Sequence, residues 1–253
     1  MGSRSTATRL SAAAAGLALL AAPLAVAPAQ AAPGDDQPAA RAGAKTVKVM
    51  TRNLYLGTNI MRPINAVQSV PAEPANTYNF RLLDALANAT DTARDIVDET
   101  QFPVRAKLLA AELAEEKPDL VGLQEVAMWR SGPMDSPLGP DLLVPNATTV
   151  DYDFLKILLR EARAQGAKYK AVNVNWLSDV EAPAYEGSVM DQANMQDVRD
   201  VRLTMRDVIL KRKGSGVKVL KSKKRIFDDM LQIDIAGKPM DFRRGYQWVD
   251  VRK

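Results

Sequence analysis

The 253-residue chain contains no histidine and no cysteine. The absence of cysteine excludes a disulfide staple and a thiolate metal site, so stability has to come from an ordinary hydrophobic core. The absence of histidine removes the commonest general base of hydrolytic sites, and this bounds the catalytic activity the polypeptide can be credited with. Aromatic residues make up only 6% of the chain; Trp129, Trp176 and Trp248 are expected in core or rim packing rather than as a platform for bases or sugars. There is no internal repeat either, and the length suits one domain with a sizeable core.

What is present begins with a targeting segment. Residues 1–31 read as a secretory signal peptide: Arg4 and Arg9 form a positive n-region, Ser11 to Ala27 is an apolar run rich in Ala and Leu, and Ala29-Gln30-Ala31 fits the small-x-small cleavage pattern. Cleavage is expected after Ala31. A transmembrane anchor is the alternative, but the run is short and broken by Pro23 and Pro28. The expectation is a secreted, extracellular monomer without an anchor. The segment carries two arginines and no acid, so its removal takes Lys+Arg from 34 to 32 against 30 Asp+Glu, and the charge from +4 to +2. Such a balance gives no global support for polyanion binding, which would need a local basic patch. Residues 32–44 have the composition of a flexible leader, and the folded domain is expected over 45–253.

Thr46 to Leu54 is β-branched and aliphatic enough for a first strand, whereas Gly57 to Asn79, with three prolines, reads as a long loop able to shape a pocket. Phe80 to Val97 has one apolar helical face through Leu82, Leu83, Leu86, Ala89 and Ala93. A second helix follows, with Thr100 as N-cap, Pro103 in the first turn and Lys117-Pro118 as its stop. Asp119 to Val126 is a continuous apolar run, as of a strand buried on both faces. Ala127 to Val150, with Pro133, Pro137, Pro140 and Pro145, reads as another long loop; Asp151 then caps a helix that Gly166 ends. Strands are expected at Tyr169 to Trp176, Val208 to Lys211, Val217 to Leu220, Met230 to Ile235 and Tyr246 to Val251, with a turn at 236–238. This order argues for an α/β fold of mixed β-sheets covered by helices and finishing in a β-meander.

Two strand-end residues invite chemistry. Glu125 closes a buried strand, where a carboxylate is costly unless paired, hydrogen-bonded or bound to a hard divalent cation such as Mg2+. The alternative is a solvated Glu125, or one paired with Arg52 or Arg130. Asn53 can orient a phosphate oxygen or a water, or simply close a turn. Asp197 to Asp207 alternates acids and arginines and is expected to form surface ion pairs near a sheet edge, with Arg202 or Arg206 as candidates for a substrate phosphate. Lys211 to Arg225 is a basic stretch that can meet nucleic-acid phosphates or an anionic membrane. Without interleaved aromatics in the sequence it reads first as a solvated hairpin.

The segments KVMTRNLYLG (48–57), RAKLLAAELAEEKPDLVGLQEV (105–126) and, more weakly, RDVILKRKG (206–214) and RRGYQWVDV (243–251) resemble, in this order, the amino-terminal half of the endonuclease/exonuclease/phosphatase superfamily. The resemblance implies a DNase I-like α/β sandwich and a Mg2+ (or Mn2+) cofactor. It places the metal-binding Glu of the Gln-Glu pair at Glu125, and the Asn that helps hold phosphate and metal water at Asn53. These two are the candidate catalytic and metal residues. The family's later Thr-His, Asp-x-Asn and Ser-Asp-His motifs are absent, so the C-terminal half of the domain is expected to be missing, as in a truncated product. The implied function is a secreted metal-dependent phosphoesterase-type hydrolase with little or no activity as written. A non-catalytic fragment or binding protein keeping the half-fold is the alternative. The substrate, whether nucleic acid, phospholipid or small phosphoester, is left open.

Overall fold

The computed structural model describes residues 45–72, 75–134, 144–235 and 238–253. The expected signal peptide and leader (1–44), Pro137, Pro140 and most of the 236–238 turn lie outside the described residues. These form an α/β fold with mixed sheets and helices. Strands β1 (Val49–Asn53) and β2 (Leu120–Gln124) pair in parallel, while β2, β3 (Met128–Gly132) and β5 (Tyr169–Glu186) all pair antiparallel with the long β6 (Gln196–Arg212). β4 (Thr149–Asp153) adds to β3 and completes a six-stranded sheet. β7 (Lys218–Ile226) pairs with β10 (Gly245–Arg252), and β8 (Leu231–Ile235) with β9 (Lys238–Phe242), as separate two-stranded sheets.

The helices are α1 (Met61–Gln68), α2 (Ala75–Glu99), α3 (Phe102–Glu116) and α4 (Phe154–Ala164). The first residues of α3 and α4 stack ring on ring, Phe102 on Phe154 with centroids 3.6 Å apart, at the centre of the main core. Among the described residues no helix is long and apolar enough to cross a membrane.

Several expectations need correction. The loop expected over 57–79 contains α1 and the start of α2. Pro63 stands in the first turn of α1, where a missing N–H has no intrahelical partner to lose, and Ile64 and Val67 bury one face. Gln101, in a left-handed conformation, precedes α3 in place of Thr100, whose hydroxyl donates back to the Val97 carbonyl at 2.8 Å and closes α2. Asp153, not Asp151, caps α4, accepting from the Lys156 N–H at 3.3 Å, because β4 runs on through Tyr152 opposite Trp129. The loop expected over 127–150 holds β3, a strand made by pairing with β4 and β6 rather than by an alternating pattern.

The Asp197 to Asp207 segment is part of the central strand β6, not a sheet edge. Arg199 pairs with Asp91 at 2.8 Å, Arg202 with Asp179 and Arg206 with Asp153. The expected meander is interrupted, because β8 and β9 intervene between the paired β7 and β10.

Gly245 shows how close β10 lies to β7: a Cβ there would fall 2.2 Å from the Arg225 carbonyl oxygen. Gly245→Ala is expected to cost about 2 kcal/mol, read as a lower urea midpoint at unchanged slope.

Candidate active site

The parallel register sets Asn53 of β1 opposite Gln124 of β2, so both strands end at one level and Glu125 follows immediately. Carboxyl ends of parallel strands are where open α/β sheets gather ligands. Glu125 (φ 54°) and Tyr55 (φ 53°) both take left-handed backbone, which costs a non-glycine residue about 1 kcal/mol or more and needs a surrounding structure to enforce it.

That enforcement is visible bond by bond in the turn 54–56. Leu54 N–H donates to the Gln124 carbonyl at 3.0 Å, Tyr55 N–H to Asn53 Oδ1 at 2.7 Å, and Leu56 N–H to Glu125 Oε2 at 2.9 Å. The carbonyls of Leu54 and Tyr55 accept from the Arg105 guanidinium at 2.7 and 3.1 Å, and that of Leu56 from the buried Trp129 Nε1 at 3.0 Å. All six backbone groups of the turn are therefore satisfied, and the kink is held from three elements. Gly57 (φ 113°) lets the chain leave the turn against Val97 and Thr100.

Asn53 Nδ2 donates to Glu125 Oε1 at 2.8 Å. Each Glu125 oxygen thus receives one N–H and keeps lone-pair capacity, in a half-buried position. Neither arginine considered as its partner is directed to it, since Arg52 bonds Glu112 and Arg130 bonds Asp179. Asn53 spends its amide nitrogen on Glu125 and its oxygen on the turn, so in this arrangement it positions the carboxylate.

A second carboxylate lies alongside. Asp207 of β6 follows Arg206, whose carbonyl accepts the Val126 N–H at 2.9 Å; burial pushes its pKa up, the Glu125 backbone and Arg244 push it down, and the Glu125 charge pushes it up, with a raised value as the outcome. A carboxylate whose pKa is higher folded than unfolded contributes stability present below the unfolded value and lost as pH rises through the folded one. Asp207→Asn is therefore expected to raise the urea midpoint at about pH 7 and to leave it unchanged well below pH 4. An equal change at both pH values would contradict the assignment.

The two candidate substrate arginines sit elsewhere in the network. Arg206 is 4% exposed and donates to the Val126 and Ala127 carbonyls at 3.0 and 3.2 Å and to Asp153 Oδ1 at 2.7 Å, bracing the segment just after Glu125. Arg202 grips Asp179 with both arms of its fork. The structure brings Asn53 and Glu125 together, and both arginines have their forks on protein acceptors. Sequence reasoning passed over Arg105 and Asp207. An arginine three residues after Phe102, one turn along α3 beside the buried Phe102 and Ala106, was the signal available for the first.

The donor set can be weighed against a hard divalent ion. Mg2+ takes oxygen ligands from one or two carboxylates and keeps several waters. Glu125, with Asp207 beside it, fits such a partial shell, although no group of three acidic side chains able to enclose an ion occurs among the described residues. No family model, curated protein or solved structure matches the chain.

Proposed function

We propose that this chain is a metal-dependent phosphoesterase-type protein with DNase I-like layering, exported by its N-terminal segment, and that Glu125 holds Mg2+ or Mn2+ beside a phosphate ester. The observation that carries the reading is the strained, fully bonded turn that aims Glu125 at the level where β1 and β2 end. Glu125 supplies the charged ligand, Asn53 and the Leu56 N–H fix its rotamer, and Asp207 adds negative charge. A bound divalent ion would contribute charge neutralisation at the phosphoryl oxygens and a more acidic water.

The residues do not supply a strong base. The chain has no histidine, and losing a positioned acid or base commonly costs about 100- to 10,000-fold in rate. That count favours a second reading, in which the site binds a cation and a phosphate ester without appreciable turnover.

Hydrolysis of DNA, sphingomyelin and an aryl phosphodiester, each with Mg2+ and with chelator, separates the two. Slow cleavage that needs Mg2+ and disappears in Glu125→Ala supports the hydrolase; cation binding without cleavage supports the binding protein. Cleavage that survives in Glu125→Ala would overturn the assignment of the site.

A further inference from the structure

The exposed face of the β7–β10 sheet joins two sequence features that lie more than twenty residues apart, as Lys223 and Trp248 do. β7 alone shows cations without aromatics, and β10 carries its aromatics at Tyr246 and Trp248 with a single cation, Arg252, at its far end. Antiparallel pairing sets Lys223 opposite Trp248 and Arg225 opposite Tyr246, and directly paired residues share a face. The Lys223 ammonium lies 6.0 Å from the Trp248 ring centroid, and Phe227 extends the row, its ring 5.7 Å from Tyr246. Tyr246 is 45% and Phe227 47% exposed.

The opposite face is occupied. Lys224 Nζ reaches back to the Val174 carbonyl at 2.8 Å, and the Asn173 and Asn175 amides of β5 bond carbonyls of both strands. The outer face carries two carboxylates beside its three cations, Asp250 across from Lys221 and Asp228 paired with Arg225 at its end, while Lys223 is set against the Trp248 ring.

We propose that this face binds single-stranded nucleic acid. Tyr246 and Trp248 are two residues apart on one strand, about 7 Å, and offer successive flat surfaces to unstacked bases. Lys221, Lys223 and Arg225 run alongside at the same interval and meet the phosphates. Alternation of ring and cation across a ladder is the arrangement a flexible polyanion with π-faces needs. A lipid surface instead favours a contiguous apolar tip, and here each ring is flanked by a charge. None of the residues on this face is among those that hold Glu125, and the proposal does not depend on the phosphoester reading.

The test is fluorescence anisotropy of a labelled oligothymidylate of about 16 nucleotides with the full chain in EDTA, which silences any cation site. Binding is expected to weaken about tenfold or more in Trp248→Ala, to recover largely in Trp248→Phe, and to lose about 0.7 from the slope of log affinity against log salt in Lys223→Ala. If Trp248→Ala does not fold by circular dichroism, the exposed Tyr246→Ala carries the same comparison. Three outcomes would overturn the proposal: affinity unchanged in both the aromatic and the Lys223 variants, binding abolished by EDTA, or sedimentation with phosphatidylserine vesicles without oligonucleotide binding.

Discussion

Asp153→Ala is expected to destabilise the fold by about 3–5 kcal/mol, because it strands the Arg206 guanidinium in the core without its counter-charge. Arg206 is 4% exposed and Asp153 8%, and their contact is 2.7 Å. The two carbonyls that Arg206 also holds satisfy hydrogen bonds but do not neutralise a cation. The substitution also removes the N-cap of α4, worth about 1 kcal/mol by itself. Replacing the pair together, as Asp153→Leu with Arg206→Met, should recover much of the loss, since a buried ion pair is often no better than apolar residues of similar size. Urea unfolding of the single and double variants gives both numbers. A single variant within about 1 kcal/mol of the parent would mean that Arg206 is solvated rather than buried.

This pair bears on the site because Arg206 braces Val126 and Ala127, the residues immediately after Glu125. Loosening that brace frees the backbone that fixes the Glu125 φ. Asp153→Ala is therefore expected to weaken cation binding as well as folding, although Asp153 touches no part of the turn 54–56.

The second large effect is at Glu125. Truncating it should lower divalent-cation affinity by at least about 100-fold, whereas Asn53→Ala, which removes only the orienting amide, should cost about 10- to 100-fold. Stability should respond differently. Glu125→Gly keeps left-handed backbone at no steric cost and so offsets the loss of the hydrogen bonds from Asn53 and Leu56. Glu125→Ala has no such compensation and should unfold at lower urea than Glu125→Gly.

The parts of the fold visible in the sequence are those where local pattern and tertiary structure agree. The apolar run before Glu125 is β2, and the stripe through Leu82, Leu86 and Ala93 belongs to α2. Asn53 and Glu125 were readable as strand ends because an apolar strand followed by a polar residue marks the edge of the sheet. Elsewhere pairing overrode pattern. β3, with Arg130 and Ser131 in its middle, becomes a strand only between β4 and β6. β5 was expected to end at Trp176, but irregularities between Trp176 and Asp179 shift its register and hide the continued alternation. Prolines misled in the 57–79 segment, since Pro63 starts a helix instead of breaking one.

The site was half visible for a similar reason. A strand end is a local feature, whereas the bracing by Arg105, Trp129 and Arg206 comes from α3, β3 and β6, which the linear sequence does not bring together. Asp207 escaped notice inside an alternating charged run that reads as surface. Its neighbour is the backbone and charge of Glu125, which no side-chain spacing announces.

The most direct measurement is calorimetric titration of Mg2+ and Mn2+ into the parent chain and into Glu125→Gln, a change that preserves the shape of the side chain and removes its charge. The expected result is saturable binding by the parent and a loss of at least about 100-fold in the variant, with the fold intact by circular dichroism. Equal affinity in the two proteins, or no binding by the parent, would contradict Glu125 as the centre of a cation site.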